Sequence, residues 1–181
     1  MFADFQSFRM DFANFSTLLC GDNRRLVHTN YYNVPVRQAD DPIGYARQQK
    51  FFNYLRSLPH LTVHLGSLML REREINCPEC GKTFSHEYRT EKGVDVKLAS
   101  HMLVFAFDNQ YDVAVLVSGD GDFAPVVEEV QRLGKLVDHA AFEHPRWTAL
   151  SKACKGKRIE LTPEWLKGCV TVFRAGEEKP R

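Results

Sequence analysis

Asp112-Val113-Ala114-Val115-Leu116-Val117-Ser118-Gly119-Asp120-Gly121-Asp122-Phe123 joins an unbroken apolar run to a turn that carries two carboxylates and a hydroxyl. An apolar run without alternation is what a central strand covered on both faces requires. Behind it, Pro125–Leu133 places Val126, Val127, Val130 and Leu133 at helical spacing, and Gly134 closes the segment. A strand, an acidic turn and a helix in this order point to an open α/β sheet, whose ligands bind beyond the carboxyl ends of the strands. Gly119 and Gly121 allow positive φ and a close approach of the backbone to a bound group.

Outward from this stretch the same alternation repeats. Leu26–Val34, Leu61–Leu70, Asp112–Ser118 and Leu136–Phe142 read as strands rich in β-branched and aromatic residues. Between them Arg47–Leu58 puts Phe51, Phe52, Leu55 and Leu58 on one helical face before Pro59, and Val94–Phe107 carries Leu98, Met102 and Phe105 at helical spacing. Strands alternating with such helices imply right-handed crossovers and a three-layer α/β/α sandwich around a mainly parallel sheet. The expected organisation is one domain over residues 1–174, an insertion at 71–91 that breaks the alternation, and a charged, frayed tail at 175–181.

Composition narrows the class. At 181 residues, with 44% hydrophobic and 26% charged residues, the chain is in the ordinary globular range and can fold alone or as a small oligomer such as a homodimer. Its net charge of +1 means that a nucleic acid would have to be held by a local patch. No secretory leader and no apolar run of about 18 residues are visible, so a soluble cytoplasmic protein without membrane partners is expected.

Three acidic elements stand out. Asp120 and Asp122 could be helix caps or cation ligands. An EF-hand loop is excluded because Phe123 and Ala124 stand where oxygen ligands should continue. A dinucleotide fingerprint through Gly119, Gly121 and Asp138 is disfavoured, because Asp120 and Asp122 would repel a pyrophosphate. Glu91-Lys92-Gly93-Val94-Asp95-Val96-Lys97 opens a helix with Asp95 on the stripe of Leu98 and Met102, so an inward carboxylate needing a cation or an arginine is expected, with a solvated Asp as the alternative. Asp4, in Phe2-Ala3-Asp4-Phe5-Gln6-Ser7-Phe8, would end a short first strand at the same rim.

Together these motifs resemble the LabA-like branch of the NYN domain family, in the PIN-like superfamily. The likeness continues through Pro125-Val126-Val127-Glu128-Glu129-Val130 and Gly134-Lys135 and covers residues 2 to 161. It implies a PIN-like fold and an endoribonuclease that cleaves RNA with Mg²⁺ or Mn²⁺ held by Asp4, Asp95 and Asp120, with Asp122 auxiliary. Ser118 would shape the loop, and Ser7 stands where the family commonly has Asn, offering a hydroxyl at the rim. A non-catalytic RNA-binding module retaining the fold is the alternative.

Two further features frame the site. Cys77-Pro78-Glu79-Cys80-Gly81 is a zinc-knuckle half-site, with His86 the nearest third ligand and a reduced, metal-free hairpin as the alternative. Cys20, Cys154 and Cys169 read as small buried thiols. Lys152, Lys155, Lys157 and Arg158, with Arg71, Arg73, Lys92 and Lys97, are candidates to hold phosphates, and Tyr88 or Trp147 to stack on bases; a solvated basic face is the plainer reading.

Overall fold

A computed structural model describes residues 7–142 and 148–173, with side chains described for 10–142 and 149–170; Asp4, Trp147 and the tail at 175–181 lie outside the described residues. In chain order the elements are β1 (Ser7–Met10), α1 (Phe12–Cys20), β2 (Thr29–Asn33), α2 (Pro42–Ser57), β3 (Leu61–Leu65), β4 (Ser67–Asn76), β5 (Thr83–Lys92), α3 (Val94–Phe107), β6 (Val113–Val117), α4 (Ala124–Arg132), β7 (Leu136–Ala141), α5 (Thr148–Ala153), β8 (Arg158–Glu160), α6 (Pro163–Leu166) and β9 (Val170–Phe173). Residues 28–100 form one unit, and the described residues on either side of them form the other. Among the described residues no helix is long and apolar enough to cross a membrane.

In the 28–100 unit, β2 and β3 pair in parallel from Thr29↔Leu61 to Asn33↔Leu65, with α2 as the connection. This helix begins earlier than its apolar stripe, because Asp41 accepts the Gly44 N–H at 2.8 Å and Pro42 fits a first turn that has no use for its missing N–H. Phe52 and Leu55 are fully buried, and Phe51 meets Tyr31 edge-on at 5.7 Å. The expected strand Leu61–Leu70 is two strands that part at Gly66. A Cβ on Gly66 would lie 2.6 Å from Val94 Cγ2 and 2.7 Å from the Lys92 carbonyl, so only glycine lets the chain turn there. Beyond it, β4 and β5 form an antiparallel hairpin from Ser67↔Lys92 to Asn76↔Thr83, longer than the insertion read at 71–91.

In the other unit β6, β7 and β8 pair in parallel, while β1 and β9 form an antiparallel pair from Ser7↔Phe173 to Met10↔Val170. Leu19, Ala140 and Leu161 form a core with Phe15, Val115, Ile159 and Trp165 around it. The middle strand of the three is β7 rather than the apolar β6, whose last residue, Val117, is 44% exposed. Polar residues disguise β7 in the sequence: Asp138 and His139 are buried at 0% and 1% exposure. Each is accommodated by a specific partner, as buried polar groups must be. Asp138 pairs with the Arg24 guanidinium and accepts the Lys157 N–H at 2.7 Å. Gly156 leaves the space this carboxylate fills, since a Cβ there would fall 2.1 Å from Asp138 Oδ1.

Removing one partner of a buried ion pair leaves an uncompensated charge, at a cost of about 3–5 kcal/mol. Arg24→Met should therefore lower the urea midpoint of unfolding by that order of stability. Arg24→Met combined with Asp138→Leu should recover part of the loss. An unchanged midpoint in the single variant would show that this pair does not hold the sheet.

Candidate functional site

The turn after β6 is built by its own side chains. Ser118 Oγ accepts the Asp120 N–H at 3.1 Å, and Asp120 Oδ1 accepts the Asp122 N–H at 3.0 Å, capping the 3-10 turn Gly121–Phe123. Phe123 anchors the turn at 5% exposure, while Asp120 and Asp122 are exposed. The capping role considered for these carboxylates is thus real for Asp120, and it occupies only one of its two oxygens. Gly119 and Gly121 are not among the described glycines with positive φ, which are Gly21, Gly81, Gly93 and Gly134. Because Ser118 and Asp120 close the turn through their side chains, left-handed backbone is not needed there.

Beneath the turn, His139 Nε2 lies 2.8 Å from the Ser118 carbonyl. A carbonyl only accepts, so this nitrogen carries the proton. His139 therefore ties the carboxyl end of β6 to the neighbouring strand and sets where the two carboxylates begin. Nothing in the acidic motif itself pointed to this residue; the one available signal was an Asp-His pair inside a strand whose other residues are apolar. The burial of Asp138 against Arg24 also removes it from any ribose-binding role.

Asp95, in the first turn of α3, is exposed rather than inward, although Leu98 and Met102 on the same stripe are half-buried. A carboxylate at a helix N-terminus is favoured by the helix dipole and keeps its hydration, so it needs no buried partner. Lys92 is exposed at the end of β5, and Lys97 donates from Nζ to the Leu65 carbonyl at 2.5 Å, at the carboxyl end of β3. Ser7 is a strand residue of β1, paired with Phe173. Lys152 and Lys155 are exposed, with the Lys155 N–H fixed to Gln131 Oε1 at 2.7 Å. The described structure thus brings Asp120, Asp122 and Ser118 together in one turn, while Asp95, Lys92 and Lys97 belong to the 28–100 unit.

Cys77 and Cys80 sit at the tip of the β4–β5 hairpin. Cys77 N–H donates to the Lys82 carbonyl and Gly81 N–H to the Cys77 carbonyl, both at 2.9 Å, with Gly81 at φ +69. Hydrogen bonds from the backbone of Cys80 and of Glu79, with the Cys80 side chain adding to them, hold the Cys77 thiol below its ordinary pKa. That is the preparation a thiolate metal ligand needs. His86 does not join the pair. It stands opposite Arg73, and at about 3.3 Å of rise per residue it lies more than 10 Å up the ladder from the tip. Among the described residues no three His, Cys, Asp or Glu side chains are grouped to hold a metal ion. Of the other thiols, Cys169 is buried and Cys20 and Cys154 are half-buried.

The family model described as NYN domain matches residues 1–161 of the chain. Among solved structures, a protein of unknown function from Vibrio parahaemolyticus RIMD 2210633 is similar, with 22% identity and a TM-score of 0.57, over 90% of this chain and 83% of that one. This likeness is one of fold. No curated protein matches the chain.

The thiols should differ sharply in reactivity. Burial, with Asp138 adding to it, pushes the Cys154 thiol up to about 11, and burial with Asp11 raises Cys169, while Cys77 is lowered. Iodoacetamide near pH 7 should therefore alkylate Cys77 well before Cys154 and Cys169, as read by peptide mass spectrometry, and Cys154 should react only as pH approaches its raised value. Equal labelling of Cys77 and Cys154 in folded protein would contradict this ordering.

Proposed function

We propose that this chain, which belongs to the NYN domain family, is a metal-dependent endoribonuclease of the LabA-like branch. Its mixed α/β architecture with parallel strands fits the PIN-like nuclease fold of that family. The observation that carries the reading is the Ser118–Phe123 turn: closed by its own hydrogen bonds, it presents two exposed carboxylates, Asp120 and Asp122, at the carboxyl end of a parallel strand. That is where ligands of open α/β sheets bind.

The donor chemistry suits Mg²⁺ or Mn²⁺, since the candidate ligands are hard oxygens from Asp4, Asp95, Asp120 and Asp122. When bound, such a cation would polarise the phosphate and stabilise the leaving oxygen. The protein's own contribution is positional. Asp120 offers the oxygen its cap does not use, and Ser118 and His139 keep the turn from shifting when charge is drawn to it. Lys92, Lys97, Lys152 and Lys155 are the candidates to hold RNA phosphates, and Ser7 is carried only by the family pattern. A zinc ion on Cys77 and Cys80 would be structural, closing the hairpin tip. Action in the cytoplasm, as a monomer or homodimer, belongs to the same reading.

Asp120→Asn separates charge from shape, because the amide oxygen still accepts the Asp122 N–H and the turn should persist. Labelled RNA incubated with Mn²⁺ or Mg²⁺ should be cleaved by the natural chain, with cleavage stopped by EDTA. Asp120→Asn and Asp95→Asn should each slow it by roughly two orders of magnitude or more, several kcal/mol of transition-state stabilisation. Cleavage indifferent to EDTA or to both substitutions would sink the mechanism. RNA binding without any cleavage would leave the non-catalytic binding module.

A further inference from the structure

The hairpin of β4 and β5 sorts its side chains into two chemically opposite faces. Residues paired across an antiparallel ladder point to the same side, and successive pairs alternate. One face therefore carries Ile75 with Phe84, Arg73 with His86, and Arg71 with Tyr88, and then Met69 with Thr90. The other carries Glu74 with Ser85, Glu72 with Glu87, Leu70 with Arg89, and Leu68 with Glu91. Contacts agree with this sorting: His86 and Tyr88 stack at 6.3 Å with their planes 11° apart on the first face, and Ser85 donates to Glu72 at 2.5 Å on the second. Arg71-Glu72-Arg73-Glu74 is neutral as a sequence, and the pleat turns it into a basic face and an acidic one.

We infer that the Arg71, Arg73, Phe84, His86 and Tyr88 face is a docking surface for single-stranded RNA. Phe84 is 53% and Tyr88 40% exposed, and with the exposed His86 between them they form a row of rings along one face of the hairpin that is open to a partner. Arg71 and Arg73 form no ion pair with any described residue, whereas Arg89 on the acidic face is bound to Asp40 at 2.8 Å. Aromatic faces beside uncommitted guanidinium groups complement unpaired bases and the phosphates between them. A duplex does not fit. The bases of double-stranded RNA are already stacked, and its deep, narrow major groove admits no side-chain reading. The surface belongs to the 28–100 unit and the acidic turn to the other, and it deepens the ribonuclease reading by naming how the substrate is held. It rests on that reading for the choice of RNA.

Fluorescence anisotropy with a labelled single-stranded oligouridylate, measured in EDTA so that hydrolysis plays no part, tests it. Tyr88→Ala and Phe84→Ala should each weaken binding about tenfold, while Tyr88→Phe should keep it. Arg71→Ser and Arg73→Ser should lower affinity and reduce the salt dependence, each by about 0.7 in the logarithmic slope. Glu72→Gln and Glu87→Gln, on the acidic face, should leave affinity unchanged or raise it. Duplex RNA should bind more weakly than the single strand, without sensitivity to Tyr88→Ala. Unaltered affinity in the arginine and aromatic variants would overturn the inference, as would loss of self-association in Phe84→Ala with RNA binding intact. Binding that depends on this face in a protein that never cleaves would refute the nuclease mechanism and leave the docking surface standing.

Discussion

Two adjacent polar residues in the middle strand of the β6–β7–β8 sheet, Asp138 and His139, meet a constraint on which the acidic turn depends: a buried polar group must find its partner within the fold. Pleating sends them to opposite faces. Asp138 draws in Arg24 from beyond α1 and the Lys157 N–H just before β8, so one carboxylate joins three separate segments of the chain. His139 reaches the other way to the Ser118 carbonyl and fastens the carboxyl end of β6. An apolar strand would have packed as well, but it would not have fixed the origin of the turn that carries Asp120 and Asp122.

The turn itself is a compromise between holding a shape and offering charge. Asp120 uses one oxygen to cap the residues after it and leaves the other exposed, and Ser118 uses its lone pairs to hold Asp120. Exposed acidic oxygens on a hydrogen-bonded turn, with no cation or guanidinium already paired to them among the described contacts, are the arrangement a hard cation would exploit. Asp95 follows the same logic at the start of α3, where the helix dipole supports an exposed carboxylate.

The hairpin obeys different rules. Both its faces are exposed over most of their length, and a two-stranded ribbon without a core is only marginally stable in water. Its ends are where stability can be supplied: at the base, Gly66 lets the chain press against Val94, and at the tip, Cys77 and Cys80 sit in a turn whose backbone already favours a thiolate. Freedom from core packing is also what allows one of its faces to carry rings and guanidinium groups and the other to carry glutamates.

Much of the architecture was legible in the sequence because it depends on local pattern. Val94–Phe107 is a helix at the expected residues, α4 lies one residue from its expected span, and the acidic turn stands at the end of its strand because hydrophobic periodicity and proline or glycine punctuation act over a few residues. What the sequence could not disclose depends on partners distant in the chain. The centrality of β7 was hidden because Asp138 and His139 look like surface residues until Arg24 and Ser118 come to meet them. The exposure of Asp95 was hidden because helical spacing gives a stripe but not where along the helix burial begins. His86 is close to Cys80 by number, yet the ladder carries it away from the tip, because each residue of an extended strand adds about 3.3 Å. Local physics thus set the elements and their chemistry in the sequence, and tertiary pairing alone decided which charges are neutralised inside and which are left facing water.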